Sequence, residues 1–179
     1  HKLKEDDEIL QTIETTNVSE LLFFSDKCSV YKMKTYDMPD SKVSAMGEYL
    51  PGILGLDENE KILYTVVTTD YAGMMLFAFE NGKMAKIPLS AYETKTNRKR
   101  LQNAYSGASK LVAMRFFTED MELAAFSSNG KVLVFDTSMV SEKATRSSQG
   151  VSVLLSKKGS RLIDLRDVSE LAFSDPKYY

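Results

Sequence analysis

Three segments of the chain repeat one pattern, and that repeat narrows the fold before any single residue is considered. Leu22–Met33, Leu76–Ile87 and Ala124–Phe135 align without a gap. Each is a short apolar run, a tight turn and a second apolar run. The turn positions Cys28, Gly82 and Gly130 recur at spacings of 54 and 48 residues. A period of roughly 40–50 residues with several strands per unit is how propeller blades read in sequence.

The turns have a mechanism. Asn81-Gly82 and Asn129-Gly130 suit a type I′ hairpin turn, in which both central residues need φ > 0. Asp26-Lys27-Cys28-Ser29 holds the same place with poorer turn chemistry, which predicts a looser turn. The flanking runs Glu20–Ser25, Val30–Met33, Met74–Phe79, Met84–Ile87, Leu123–Ser127 and Val132–Phe135 read as half-buried or buried strands. After each hairpin comes a short tail (Tyr36–Met38, Ser90–Tyr92, Ser138–Val140). A polar stretch comes next (Pro39–Gly47, Glu93–Arg100, Ser141–Gly150). Two more strands per unit are expected, from Gly52–Leu56, Leu101–Tyr105 and Val151–Leu155, and from Glu60–Thr68, Lys110–Phe117 and Ser160–Leu165. Val168–Asp175 echoes Val18–Asp26 and begins a further unit.

The expectation is an all-β, propeller-like chain of about three four-stranded blades plus a partial fourth, in an incomplete ring. The repeats fall near 10–69, 70–119, 120–167 and 168–179 of a single domain, 1–179. Propellers close with about 4–8 blades, so the sequence reads as part of a longer protein.

Composition rules out several functions. No apolar run approaches the roughly 18 residues of a membrane-spanning helix, and no signal peptide is expected from the charged stretch Lys2 to Glu8. The single cysteine, Cys28, forms no disulfide framework within the chain and suits a reducing compartment. The one histidine stands at position 1, which leaves no Ser-His-Asp or Cys-His pair. Gly52-Ile53-Leu54-Gly55 lacks the phosphate-loop lysine and the dinucleotide spacing. Asp57-Glu58-Asn59-Glu60 resembles a calcium loop in composition only and reads as a solvated turn. No catalytic residue, metal ligand or cofactor site is assigned.

Net charge is −2, but unevenly spread. Residues 1–20 set Lys2 and Lys4 against Glu5, Asp6, Asp7, Glu8, Glu14 and Glu20, which leaves the remainder slightly basic. The densest positive run is Lys95-Thr96-Asn97-Arg98-Lys99-Arg100, in the polar stretch of the second repeat. Such a run can engage phosphates through charge and counterion release. Lys32 aligns with Lys86, and Lys83 with Lys131, so repetition suggests a basic stripe around a rim. Lysines that deter strand-edge pairing are the plainer reading of any one of them.

Leu21–Lys27, Val30–Lys34 and Tyr36–Pro39 together resemble the blade signature of the C-terminal domain of the DNA gyrase A subunit. Gly73–Ile87 with Pro88–Tyr92, and Ser128–Lys131 with Val140, Arg146, Gly150 and Val151, are similar to two further blades of that family. The topoisomerase IV A subunit carries related blades. The family's basic, glycine-rich wrapping box has no counterpart here, although Lys2–Glu8 resembles the stretch directly after that box. Cys28 replaces a turn glycine, and Thr145-Arg146 keeps only the arginine of a Gly-Arg pair.

The resemblance implies a β-pinwheel, a propeller-like ring whose blades exchange strands, which binds and bends double-stranded DNA around a basic rim. It implies a role in ATP-dependent change of DNA topology, together with the ATPase B subunit of the enzyme and the remaining part of its A subunit, in the bacterial cytoplasm. Cleavage would belong to a separate region. DNA contacts are expected to centre on the basic run, at Lys95, Arg98, Lys99 and Arg100, and a family-like arrangement of blades would extend them along the rim through Lys32, Lys86, Lys131 and Arg146. The alternative is a propeller-type protein-interaction module that binds no DNA.

Overall fold

Residues 19–34, 54–95, 99–154 and 159–171 are described by a computed structural model. Within them the expected strands form: β1 (Glu20–Ser25), β2 (Val30–Lys34), β3 (Ile62–Thr68), β4 (Met74–Phe79), β5 (Lys83–Pro88), β6 (Arg100–Leu101), β7 (Leu111–Phe117), β8 (Glu122–Ser127), β9 (Val132–Asp136), β10 (Val151–Ser152) and β11 (Leu162–Asp167). They make three antiparallel sheets, in the orders β3-β1-β2-β6, β10-β5-β4-β7 and β11-β8-β9. The all-β, blade-like architecture expected from the repeat is what the chain adopts.

Each of the first two sheets takes its outer strand from the next repeat. β6 follows the second hairpin in sequence but pairs with β2, through Val30↔Leu101 and Tyr31↔Arg100. β10 follows the third hairpin and pairs with β5, through Val151↔Met84 and Ser152↔Lys83. The third sheet has three strands among the described residues. On β9, Val132 and Val134 are both 53% exposed.

The chain divides into two compact units, 1–72 with 92–104, and 73–91 with 105–179. The first holds the sheet of β1, β2, β3 and β6. Leu21, Phe23, Tyr31 and Met33 form its core on one face, with Leu54, Leu56, Ile62 and Val67 packed against them. Alternation puts Leu22, Phe24, Val30 and Lys32 on the opposite face, and these are buried as well. Phe24 meets the Tyr92 ring edge-on there, at 5.3 Å between centroids. The second unit holds the other two sheets around a shared core. Leu76, Ala78 and Met84 of one meet Leu123, Ala125, Leu162 and Leu165 of the other.

Three local expectations are corrected. First, the hairpins do not turn by type I′. Gly82 and Gly130 have φ +83° and +84°, but Asn81 and Asn129 stay at negative φ. Gly82 N donates to Phe79 O at 2.9 Å and Gly130 N to Ser127 O at 3.0 Å. This is a type I turn closed by one left-handed residue, the three-residue hairpin loop. Cys28, at φ +57°, takes the left-handed place in the first hairpin. Second, 54–56 is no strand: Leu54 is helical, Gly55 turns at φ +69°, and both leucines pack on the core instead; Gly52 and Ile53 lie outside the described residues. Third, Val168–Leu171, expected to echo β1, is a single helical turn. A strand needs a neighbour to take its backbone bonds, and a helical turn satisfies them locally. The rest of the partial fourth unit, 172–179, lies outside the described residues.

The two turn glycines make a clean comparison. A Cβ at Gly130 would meet nothing within 4 Å, whereas one at Gly82 would run into the Leu154 carbonyl oxygen. Gly82 O also accepts from Val153 N and Leu154 N, both at 3.1 Å, just past β10. Gly130→Ala should therefore lower stability by about 1 kcal/mol, the left-handed strain alone. Gly82→Ala should lower it by about 3 kcal/mol, because backbone must also move. Urea midpoints that coincide for the two variants would contradict this packing.

Candidate nucleic-acid interface

β2 alternates Tyr31 and Met33 with Val30 and Lys32, and the pairing of β6 determines what these side chains meet. Lys32 is 7% exposed. Its ammonium donates to Tyr92 O at 3.1 Å and Thr94 Oγ1 at 3.0 Å. It also lies 3.6 Å from Glu20 Oε2 and 5.3 Å from the centre of the Tyr71 ring. Burial pulls its pKa below the usual lysine value, against the opposing pull of Glu20. Lys86 occupies the aligned place on β5. It is buried too, and donates to Thr137 O at 3.0 Å. The two lysines assigned to an exposed rim thus hold 3-10 turns that follow the next hairpin (Leu89–Tyr92 and Thr137–Met139). A primary ammonium can satisfy several carbonyl and hydroxyl acceptors at once, which is why lysine fits there.

The basic segment leading into β6 lies in the first unit. Lys95 and Lys99 are exposed, Arg100 is half-buried, and Arg98 lies outside the described residues. The Lys99 carbonyl accepts from Lys32 N at 2.7 Å, which ties this segment to β2. Arg100 sits opposite Tyr31 in the register, with its guanidinium 5.3 Å from the centre of the Tyr31 ring. Its Nη2 is 3.1 Å from Asp57 Oδ2. Lys131 and Arg146 belong to the second unit. Lys131 is exposed at the hairpin turn; Arg146 is half-buried and donates from Nη1 to Ala91 O at 3.3 Å. Of the expected contacts, then, Lys95, Lys99 and Arg100 come together on one segment, and Lys32 and Lys86 leave the surface.

A buried carboxylate underlies Arg100. Glu60 is 7% exposed. Its Oε1 accepts from Tyr31 Oη at 2.6 Å and Asp57 N at 2.9 Å, and its Oε2 from Ser25 Oγ at 2.5 Å. Burial alone would raise the Glu60 pKa; the donors outweigh it and hold the carboxyl below its usual range. The same burial, reinforced by the Glu60 hydrogen bond, pushes the Tyr31 phenol far above its ordinary value. Sequence reasoning missed this network. Asp57–Glu60 reads in sequence as one solvated turn, whereas the structure exposes Asp57 and Glu58 and buries Glu60. Asn59, at φ +65°, makes the bend that separates them. Among the described residues no group of three or more His, Cys, Asp or Glu could hold a metal ion.

No protein-family profile matches the chain. Individual relatives do. It is 33% identical to the DNA gyrase A subunit of Streptomyces coelicolor over 95 residues, 52% of this chain and 11% of that protein. It is 25% identical to the same subunit of Escherichia coli over 166 residues, 92% of this chain and 19% of that protein. The solved C-terminal domain of DNA topoisomerase IV superposes with a TM-score of 0.70 at 25% identity, over 83% of this chain and 47% of that one. The DNA gyrase A C-terminal domain matches at 0.54 and 18%, over 87% of this chain and 50% of that one, which is a likeness of fold. In sequence and in fold the chain is consistently similar to the C-terminal domains of the DNA gyrase and topoisomerase IV A subunits. The chain spans about a fifth or less of the full gyrase subunits it matches, and about half of the solved C-terminal domains.

Glu60 gives a pH test of the network. Its folded pKa is depressed, so its contribution is fully present above the unfolded carboxylate value of about 4.3. It is lost as pH falls through the lower folded value. Glu60→Gln should lower stability at neutral pH by about 1–3 kcal/mol, since a charged acceptor of three bonds is removed. It should also flatten the acid limb of the stability profile relative to wild type. Parallel acid limbs in urea titrations would show that Glu60 is not held as described.

Proposed function

We propose that the chain binds and bends double-stranded DNA as the non-catalytic C-terminal region of a type IIA topoisomerase A subunit. Its working partners would be the ATPase B subunit of the enzyme and the remaining part of its A subunit, in the bacterial cytoplasm. Consistent similarity to the C-terminal domains of the gyrase and topoisomerase IV A subunits carries the reading. The exposed cations Lys95 and Lys99, beside the partly exposed Arg100, supply the chemistry for phosphate contact. Phosphate contacts fix register on a duplex without reading its bases, so the binding is sequence-tolerant. Specificity would come from the energy of bending.

Arg100 is presented, not merely present. The Tyr31 ring supports one side of its guanidinium, and Asp57 holds Nη2. Asp57 is itself exposed, so that ion pair is of the weak surface kind. A duplex phosphate can take the place of the carboxylate at small cost.

Fluorescence anisotropy with a short mixed-sequence duplex at several salt concentrations tests the reading. Wild type should bind, and the Lys95→Ala/Lys99→Ala/Arg100→Ala variant should bind more weakly to all sequences alike. The log–log salt slope should fall by about 0.9 for each phosphate contact removed. Energy transfer between dyes at the duplex ends should rise on saturation if the duplex bends. Unchanged affinity and slope in the variant would refute the site, and constant energy transfer would refute bending. Absence of duplex binding at low salt would favour the protein-interaction module.

A further inference from the structure

One basic position recurs in all three sheets, and the repeat alignment of the hairpins does not reach it. In each sheet the first turn residue of the hairpin donates its N–H to a carbonyl just before the neighbouring outer strand. The pairs are Asp26 N to Lys61 O at 2.9 Å, Glu80 N to Lys110 O at 2.8 Å, and Ser128 N to Arg161 O at 2.8 Å. All three carbonyls belong to exposed cations. The clamp uses only their backbones. In two sheets it is doubled from the other side: Lys61 N donates to Asp26 Oδ1 at 2.9 Å, and Arg161 N to Ser128 Oγ at 3.0 Å. Backbone is thus held at the hairpin end while a long charged side chain projects from it. Each hairpin adds a lysine of its own at the same end: Lys27, Lys83 or Lys131.

We propose that Lys61, Lys110 and Arg161 are repeated phosphate contacts for duplex DNA, one at the hairpin end of each sheet, assisted by Lys27, Lys83 and Lys131. The inference rests on the DNA-binding reading and adds a second set of contacts to Lys95, Lys99 and Arg100. A cation whose place is set by backbone hydrogen bonds can meet phosphate without regard to base sequence, as positioning contacts require.

The three ends are not equal. Exposed Asp26, Asp57 and Glu58 lie on the loops of the first sheet's end, and Lys27 Nζ there donates to Glu58 O at 2.9 Å. The second carries Glu80 in its turn. The third turn, Ser127–Lys131, has no carboxylate, and its clamped cation is an arginine, whose planar fork suits phosphate. Contribution to binding therefore falls in the order Arg161, Lys110, Lys61.

The test is an anisotropy titration of the chain with a short mixed-sequence linear duplex across a salt series. The variants are Arg161→Gln, Lys110→Gln, Lys61→Gln and the triple substitution. Arg166→Gln serves as the control: its side chain is 57% exposed, but it pairs with Ala124 toward the far end of β11, away from the hairpin turn. Arg161→Gln should lower the salt slope by about 0.9, with smaller losses at Lys110 and then Lys61. Melting temperatures should stay unchanged, because the clamp is backbone. Arg166→Gln should keep the wild-type slope. If the triple variant keeps that slope while the Lys95/Lys99/Arg100 variant loses part of it, this assignment falls and the DNA reading stands. Equal losses at Arg166 and Arg161, or a larger loss at Lys61 than at Arg161, also overturn it. If wild type binds no duplex at low salt, both fall together.

Discussion

A two-residue strand borrowed from downstream is what the rest of the structure leans on. β2 and β5 are hairpin strands whose outer backbone groups need partners. β6 and β10 supply them, through Tyr31↔Arg100 and Met84↔Val151 among other pairs. The exchange also explains where small residues must stand. Gly150 directly precedes β10, and a Cβ there would run into the Met84 carbonyl oxygen. At the matching place of the first sheet the side chains are Tyr31 and Arg100, and a ring under a guanidinium fills the space instead.

Burial of charge stems from the same arrangement. Lys32 and Lys86 lie on strands whose two faces are covered, so their ammonium groups must find protein acceptors. They find them on the 3-10 turns that come after the next hairpin. Glu60 is the acidic counterpart, with hydroxyl and backbone donors on both oxygens. These groups tie distant stretches of chain together. They are closed to a ligand, however promising their charge looks in sequence. Lys99 and the clamped residues before the outer strands bond to protein through their backbone and leave their side chains exposed.

Much of the architecture was legible without coordinates. Short apolar runs marked β1, β2, β4, β5, β8 and β9 to within a residue or two, because strands covered on one or both faces demand them. The recurrence of Cys28, Gly82 and Gly130 marked the left-handed turn position, which φ values of +57° to +84° confirm. The exact turn type was not legible, since Asn-Gly serves both a two-residue turn and the last two places of a three-residue loop. The short strands β6 and β10 fell in or beside the expected apolar runs, but their partners could not be read from local pattern.

What the sequence determined by itself was the repeat, the hairpins and the family resemblance, since each is written in near-neighbour spacing. What only the tertiary structure decided was the fate of the charges. Period-two alternation says that Lys32 and Val30 share a face; it cannot say that protein covers that face as well as the other. Nor can it separate Glu60 from Asp57 and Glu58, which stand within three residues of it yet end in water. Nor does it bring Lys61, Lys110 and Arg161 to equivalent places beside the hairpin turns. Those placements depend on backbone bonds between residues more than thirty positions apart in the first and third sheets. The free energy of a charge is set by what surrounds it in space, and only the folded chain supplies those surroundings.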